Sequence, residues 1–212
     1  MGRADPFVAL RSATVVLGGR RLLGPLDLTF DAGAIVGIFG GEGSGKTTLL
    51  KLFAGLLTAA EGELWWRDGV PTRGMVFQKD GLLDELTVAE NAALPLRRLS
   101  AEAREARVAA ALAAVGLAAD AHKRPRELSG GMKKRAGVAR VLAGRAQVKL
   151  YDDPAAGLDP VTARAVLQLV AASCDPAGVT LIASADPRGV LPLCHQAFTL
   201  EQGALAPFAG EA

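Results

Sequence analysis

The sequence predicts an α/β fold in which strand-rich segments flank a helical insertion. Three observations support this prediction. A glycine-rich loop at residues 40–48 lies between an apolar strand pattern and a helical pattern. A second apolar strand pattern ends in two carboxylates, at residues 152–153. Residues 79–142 are helical in pattern and rich in Ala, Leu and Arg, whereas strand patterns stand on either side of them.

Length and composition favour a single globular domain with an inserted subdomain. The chain has 212 residues, of which 50% are hydrophobic, and a formal net charge of +2. A chain of this kind buries a sizeable core, and its charge indicates no nucleic-acid partner. No apolar run approaches the roughly 18 residues of a membrane span, and the first residues lack a signal-peptide pattern. We therefore expect a chain that does not enter a membrane by itself.

The cysteines and the basic runs predict structural roles. Cys174 and Cys194 are too few for a disulfide framework and lack metal-ligand spacing. We interpret them as reduced thiols of a cytosolic protein. The basic runs at 123–124 and 133–135 are interpreted as solvated faces, with a position near a nucleotide as the alternative.

The loop at 40–48 fits G-x-x-x-x-G-K-[ST], the pattern of a phosphate-binding P-loop. Its residues are Gly40, Gly41, Glu42, Gly43, Ser44, Gly45, Lys46, Thr47 and Thr48. Glycines let the backbone curl so that N–H groups point at phosphate oxygens, and the next helix adds its positive N-terminal dipole. Lys46 reaches the β- and γ-phosphates, and the Thr47 hydroxyl ligates Mg²⁺. The loop therefore predicts nucleotide chemistry.

Strand patterns dominate the first part of the chain. β-type runs occupy 8–17, 26–30 and 34–39 and are separated by glycine-containing turns. Residues 62–69 predict a further strand, and residues 74–78 predict a short strand that ends on the polar side chain of Gln78.

Helix signals dominate the middle of the chain. Thr87 and Glu90 have capping-box spacing at the start of a helix. Residues 100–115 have a helical pattern that ends at Gly116. Ser129 predicts the cap of a helix that runs to about residue 142.

Strand patterns return in the last part of the chain. The strand at 148–153 ends in Asp152 and Asp153, and Asp159-Pro160 predicts the start of a helix that runs to about residue 173. A core strand is predicted at 179–184, and edge strands are predicted between 197 and 205.

The motifs follow one another in an order that resembles the ATPase subunits of ABC transporters. After the P-loop come Gln78, the run Leu128-Ser129-Gly130-Gly131-Met132, the carboxylate-ended strand and Gly157-Leu158-Asp159. The resemblance covers nearly the whole chain and implies one domain, 1–212. It implies a P-loop NTPase core of ABC ATPase type at about 1–78 and 143–212. It also implies an N-terminal antiparallel β subdomain and an inserted α-helical subdomain at about 79–142.

The resemblance also implies a set of roles toward ATP and Mg²⁺. Asp152 would hold Mg²⁺ together with Thr47, and Gln78 would sense the metal and the γ-phosphate. Lys46, Gln78 and Asp153 would be the catalytic residues. Ser129, Gly130 and Gly131 would bind the γ-phosphate of ATP held by a second ATPase subunit, in a head-to-tail dimer.

Partners follow from the same resemblance. The second ATPase subunit completes a homodimer or a heterodimer, with Asp159 at its seam. An integral membrane permease would dock near Gln78 and the Leu82–Leu96 segment, which places the chain on the cytoplasmic face of the inner membrane. Residues 75–91, 94–97 and 127–135 are similar to the ATPase of Mla-type phospholipid transporters, which implies lipid transport.

Three positions depart from the family pattern. Asp153 stands where glutamate usually polarises the attacking water, and Ala185 stands where a switch histidine is expected. His122 and His195 lie elsewhere and are expected to be structural or surface residues. The strand at 15–17 offers no aromatic ring to stack on adenine. These departures keep two alternatives open: a weakly hydrolytic or inactive ATP-binding partner subunit, and a non-transport ABC ATPase.

Overall fold

The computed structural model describes residues 5–79 and 81–210 of the chain. Within these residues the strands are β1 (Val8–Leu17), β2 (Arg20–Phe30), β3 (Ile35–Phe39), β4 (Glu61–Trp66), β5 (Arg73–Val76), β6 (Val148–Asp152), β7 (Val179–Ser184), β8 (Gln196–Glu201) and β9 (Ala204–Pro207). The α-helices are α1 (Lys46–Ala54), α2 (Val88–Ala93), α3 (Ala101–Ala114), α4 (Gly130–Gly144) and α5 (Pro160–Ala172). Short 3₁₀ helices occupy Leu94–Leu96, Ala118–Asp120, Pro125–Glu127 and Leu191–Leu193.

Internal contacts group the chain into two compact units. The first unit holds the chain up to Arg73, the segment Gln147–Asp153 and the chain from Cys174 on. The second unit holds Gly74–Ala146 and Pro154–Ser173. The glycine-rich loop and the two carboxylates therefore belong to the first unit, and the α2, α3, α4 and α5 helices belong to the second.

A small antiparallel sheet of the first unit confirms the predicted antiparallel β subdomain. Its strand order is β2-β1-β4, with Val8 of β1 opposite Phe30 on one side and Trp66 on the other. The register shifts after Leu10 and again near Ala13, so that β1 is irregular in its middle. Residues 8–10 and 13–15 of β1 are buried in consecutive runs, so both faces of the strand are covered there.

A larger, mostly parallel sheet positions the glycine-rich loop. Its strands in the first unit follow the order β6-β7-β3-β8-β9, and all pairs are parallel except β8 with β9. Every residue of β3, β6 and β7 is buried, which explains why apolar residues predominate in these strands. Phe39 pairs with Ser184, and Asp152 pairs with Ala183, so the carboxyl ends of β3, β6 and β7 lie at one edge. In open parallel sheets ligands bind at this edge.

Helix α1 fixes the loop to the core. Leu49, Leu50 and Phe53 of α1 are buried, and the helix contacts β6 and β7. The helix ends at Gly55, whose φ of 72° is the left-handed conformation of a C-cap glycine. The ring of Phe53 lies 6.0 Å from that of Phe30.

The second unit is built from capped helices. The predicted capping box is present at α2, where Thr87 Oγ1 accepts from Glu90 N and Glu90 Oε2 accepts from Thr87 N. Ser100 caps α3 and Ser129 caps α4, as the sequence predicts. Asn91, which is fully buried, accepts from Leu83 N and donates to three backbone carbonyls of residues 83–87. This amide fixes the loop that leads into α2.

Two expectations for the second unit were wrong. Strand β5 ends at Val76, so Gln78 lies in the turn after the strand and not at its end. Lys134, assigned to a solvated face, is only 4% exposed, and its ammonium donates to the carbonyl of Gln78. The reason is helical geometry, because successive residues of a charged run in α4 point about 100° apart. Arg135 likewise donates to the carbonyl of Val115 at 3.0 Å.

Within the described residues, no helix combines the length and the apolar character that crossing a membrane requires.

Replacing Phe53 by alanine should destabilise the first unit by about 3–5 kcal/mol, because it leaves a cavity beneath Phe30 and Trp66. Urea unfolding monitored by tryptophan fluorescence measures this loss. Phe53→Leu is the matched control and should lose clearly less free energy of unfolding. Equal, small losses for both variants would contradict the packing described for α1.

Candidate functional site

The candidate site is built on the loop between β3 and α1. The backbone of this loop has φ values of 73° at Gly43 and 110° at Gly45, a region that side chains rarely adopt. A Cβ on Gly45 would come within 2.8 Å of Leu23 Cδ2. A Cβ on Gly40 would lie 2.3 Å from the carbonyl oxygen of Leu200. Both glycines are therefore needed for the close packing beneath the loop.

Lys46 spans the loop that it follows. Its Nζ donates to the carbonyl oxygens of Gly40 at 2.7 Å and Gly41 at 2.8 Å. The ammonium is thereby held over the turn as a point charge, at the first residue of α1. A cation and a helix N-terminus at one place provide an environment that binds anions.

The loop contains polar groups that a phosphate would complement. Ser44 Oγ is buried and, among the described residues, has no hydrogen-bond partner. Buried hydroxyls are normally paired, so this atom lacks a polar ligand. A Cβ added at Gly41 or Gly43 would meet no atom within 4 Å, which leaves open space on that side of the loop. These residues fit a phosphate group.

Thr47 and Asp152 bring two oxygens together from different elements. Thr47 Oγ1 donates to Asp152 Oδ2 at 2.8 Å, which joins the first turn of α1 to the end of β6. Asp152 is 4% exposed, so its carboxylate is positioned by the sheet and not by solvent. Mg²⁺ in nucleotide sites uses one or two protein oxygens together with phosphates and waters, so this pair fits Mg²⁺. Within the described residues no group of three or more His, Cys, Asp or Glu side chains is placed to hold a metal.

Asp153 follows β6 in a left-handed backbone conformation with a φ of 49°. Its N–H donates to Ala183 O at 2.9 Å, and its Oδ1 accepts a 3.3 Å hydrogen bond from Ser184 Oγ. Aspartate is one of the few side chains that adopt this conformation readily. The backbone therefore favours aspartate at this position and turns its carboxylate toward the end of β7.

The end of β7 is a turn organised by Ser184. Ser184 Oγ accepts from Asp186 N at 3.2 Å, and its single proton is shared between Asp186 O at 3.0 Å and Asp153 Oδ1 at 3.3 Å. Between them, Ala185 is exposed and offers no polar side-chain atom. Arg188 pairs with Asp186 at 2.8 Å, and its hydrogen bonds lower the pKa of the Asp186 carboxyl.

The other predicted site residues lie in the second unit. Ser129 Oγ accepts from Met132 N at 3.3 Å as the N-cap of α4. A Cβ on Gly131 would come within 2.4 Å of Thr162 Cγ2, so glycine permits the approach of α5. Asp159 caps α5 with two 3.1 Å hydrogen bonds. Hydrogen bonds from the side chain and backbone of Thr162 lower the pKa of Asp159.

The first unit thus brings together the P-loop, Asp152 and Asp153, whereas Gln78 and residues 129–131 belong to the second unit. Ser184 is not among the predicted site residues, because its contact with Asp153 depends on the pairing of β6 with β7. The sequence feature that indicates Ser184 is its place as a polar residue at the end of an apolar strand. The expectation that His195 is structural is confirmed, because its Nδ1 accepts from Ile35 N at 3.0 Å.

Comparisons with known proteins assign a family to this chain. The family described as "ABC transporter" matches residues 23–156. A "Methionine import ATP-binding protein MetN" of Xanthomonas euvesicatoria pv. vesicatoria is 38% identical over 205 residues, which cover 88% of this chain and 61% of that protein. "MetN 2" of Pseudomonas aeruginosa is also 38% identical, with 91% and 63% covered. The chain spans about three fifths of the length of these relatives.

Solved structures show the same fold. A dimeric post-hydrolysis state of the ATP-binding cassette MJ0796, bound to ADP and Pi, has a TM-score of 0.82 at 27% identity, with 96% of this chain and 100% of that chain covered. The cbiO1 protein of Clostridium perfringens, described as part of the ABC transporter complex cbiONQ, has a TM-score of 0.83 at 25% identity, with 95% and 87% covered. The predicted α/β fold of ABC ATPase type is confirmed.

Gly45→Ala should destabilise the chain by about 1–3 kcal/mol, because it forces a side chain into the φ of 110° and against Leu23. Gly41→Ala is the matched control within the same loop, since its Cβ meets nothing within 4 Å and its φ is ordinary. Chemical denaturation without nucleotide measures both free energies. Equal stability of the two variants would contradict the loop geometry.

Proposed function

We propose, because this chain belongs to the ABC transporter family, that it binds and hydrolyses Mg-ATP as the ATP-binding subunit of a transporter. The observation that carries the proposal is the 2.8 Å contact of Thr47 Oγ1 with Asp152 Oδ2, next to a glycine loop with open space at Gly41 and Gly43. Two oxygens at the end of a phosphate-binding loop are what a nucleotide-bound Mg²⁺ needs from the protein.

Each loop residue has a role in this proposal. The backbone N–H groups of residues 40–48 and the Ser44 hydroxyl bind the phosphate oxygens. Lys46 moves from the carbonyl oxygens of Gly40 and Gly41 to the β- and γ-phosphates. Thr47 and Asp152 hold Mg²⁺, which neutralises charge on the phosphates when bound. Gln78 is the further residue that senses the metal and the γ-phosphate.

Asp153 is the proposed general base. It orients the attacking water and accepts its proton, while Ser184 Oγ positions the carboxylate through the 3.3 Å hydrogen bond. Aspartate is one methylene shorter than glutamate, so the water must lie closer to the backbone of β6. Because Ala185 has no polar side-chain atom, the γ-phosphate is contacted instead by Lys46, the loop amides and the partner subunit.

The active site is proposed to be shared between two subunits. Ser129, Gly130 and Gly131 begin a 15-residue helix whose N-terminus suits a γ-phosphate held by the other subunit. Asp159 lies at the start of α5 and is proposed to face the same seam. The dimeric state described for MJ0796 supports this arrangement. We also propose that the ATPase core spans about residues 1–78 and 143–212 and that the helical subdomain spans about residues 79–142.

The membrane partner and the cargo complete the proposal. A permease docks near Gln78 and Leu82–Leu96 and holds the chain at the cytoplasmic face of the inner membrane. The cbiO1 protein, which is described as part of a transporter complex, supports such an assembly. The similarity of residues 75–91, 94–97 and 127–135 to Mla-type ATPases favours phospholipid cargo. The names of the relatives described above favour methionine import instead. Isolation of the permease with its bound cargo distinguishes phospholipid transport from methionine import.

A second candidate function is an ATP-binding partner subunit that hydrolyses weakly. Asp153 and Ala185 favour it. Asp153 stands where a glutamate usually activates the water, and Ala185 stands where a histidine usually contacts the γ-phosphate. Such a subunit would contribute Ser129 to another ATPase's site while its own ATP remains bound.

Lys46→Ala should weaken Mg-ATP binding at least about 10-fold, because it removes the cation that contacts two phosphates. Titration calorimetry measures the dissociation constant. Lys51→Ala, in the last turn of the same helix, is the charge-matched control and should bind as the unchanged chain does. Equal affinity of the Lys46 variant and the control would contradict the P-loop assignment.

Asp153→Asn should lower kcat about 10²-fold or more while KM changes little, because it removes the base and keeps the shape. Steady-state ATPase assays over a range of chain concentrations measure this, since a dimer's specific activity rises with concentration. The weak-partner candidate predicts negligible turnover of the unchanged chain and a large gain with Asp153→Glu. Robust turnover that survives Asp153→Asn would remove Asp153 from the chemistry.

A further inference from the structure

Helix α4 contacts two residues that have roles toward ATP in the proposed function. Ser129 caps the N-terminus of α4 and is proposed to face the γ-phosphate held by a partner subunit. About one and a half turns further along the helix, Lys134 is buried, and its ammonium donates to the backbone carbonyl of Gln78. None of the roles proposed above uses Lys134.

A second cation of α4 binds the same turn, which we call the Gln78 turn (residues 77–79 and 81). Arg140 Nη1 donates to the carbonyl oxygen of Gly81 at 2.7 Å. A Cβ on Gly81 would lie 2.6 Å from Cδ2 of Phe77, so the turn is closely packed against its own first residue. The turn is therefore bonded to α4 at two carbonyl oxygens.

The two hydrogen bonds position the backbone of Gln78 and not its side chain. Hydrogen bonds from a charged donor are roughly twice as strong as neutral ones, and the burial of Lys134 keeps water from competing for the carbonyl. Within residues 5–79 and 81–210, no hydrogen bond engages the side-chain amide of Gln78. The amide is thus carried by a backbone whose position α4 sets.

The neighbouring cation of α4 binds a different segment. Arg135 Nη1 donates to the carbonyl oxygen of Val115 at 3.0 Å, at the end of α3. Lys134 and Arg135 are adjacent in sequence and each binds a backbone carbonyl, but only Lys134 contacts the Gln78 turn. The chain therefore contains a matched control for the contact with Gln78.

We propose that Lys134 and Arg140 are positioning residues that link Gln78 to the helix facing the partner's γ-phosphate, and so couple the two ATP sites of a dimer. A shift of α4 toward that γ-phosphate carries the backbone of Gln78 with it. The side chain of Gln78 then reaches the metal and the γ-phosphate of its own subunit. The proposal rests on the proposed function, because that function gives Gln78 and Ser129 their roles.

The first test measures amide hydrogen exchange of residues 77–83 by mass spectrometry. Without nucleotide, Lys134→Met should speed exchange in the Gln78 turn about 10-fold, because a charge-assisted hydrogen bond is lost. Arg135→Met should instead speed exchange at residues 115–117. Saturating Mg-ATP should slow exchange in the Gln78 turn of the unchanged chain. This protection should be absent from Lys134→Met, although calorimetry finds its affinity for Mg-ATP unchanged.

The second test is a double-mutant cycle on ATP hydrolysis. Lys134→Met should lower kcat about 10-fold and bring the Hill coefficient for ATP to about 1, while KM changes less than about 2-fold. In the Gln78→Ala background the same substitution should have no further effect, because Lys134 acts through Gln78. Arg135→Met should keep the kcat and the Hill coefficient of the unchanged chain.

The outcomes distinguish the proposal from its premise. An equal loss of kcat from Lys134→Met with and without Gln78 would overturn the proposal, as would unaltered exchange in the Gln78 turn. Arg140→Met removes the second hydrogen bond and takes the place of Lys134→Met if thermal unfolding shows that the latter is not folded. If the unchanged chain lacks turnover, the protection by Mg-ATP decides. Mg-ATP binding that is unaffected by Lys46→Ala would instead contradict the P-loop premise.

Discussion

The hydrogen bond from Thr47 Oγ1 to Asp152 Oδ2 is the contact on which the rest of the site depends. It joins the first turn of α1 to the carboxyl end of β6, two elements about 100 residues apart in sequence that the parallel sheet brings together. Because every residue of β3, β6 and β7 is buried, Asp152 at the end of β6 cannot move without a shift of the core. In the proposed function, the glycine loop binds a phosphate beside the same two oxygens, as expected for a member of the ABC transporter family.

Asp153 shows how backbone conformation and chemistry are linked at this edge. Its left-handed φ of 49° suits aspartate better than glutamate, so the shorter side chain agrees with the backbone that carries it. Ser184 contacts the carboxylate from the neighbouring strand, and Ala185 next to it is exposed. The proposed role of Asp153 as the general base therefore uses a carboxylate whose position agrees with the local backbone of β6 and β7.

Local patterns predicted most of the elements, because each has a short-range cause. The P-loop follows from its glycines, α2 from the Thr87–Glu90 capping box, and α5 from Asp159-Pro160. Contacts between distant segments could not be predicted in the same way. The burial of Lys134 depends on how α4 packs, and the Ser184–Asp153 contact depends on strand order. The hydrogen bond from Arg140 to Gly81 requires α4 to meet the Gln78 turn, and no sequence period indicates that.

The central claim is that Thr47 and Asp152 together hold the Mg²⁺ of a nucleotide bound at the P-loop. The most direct measurement is the affinity for a fluorescent ATP analogue in Mg²⁺ and in EDTA, for the unchanged chain and for Asp152→Asn. We predict that Mg²⁺ tightens binding to the unchanged chain and that this dependence disappears in the variant, while binding in EDTA is retained. The same Mg²⁺ dependence in both proteins would contradict the account.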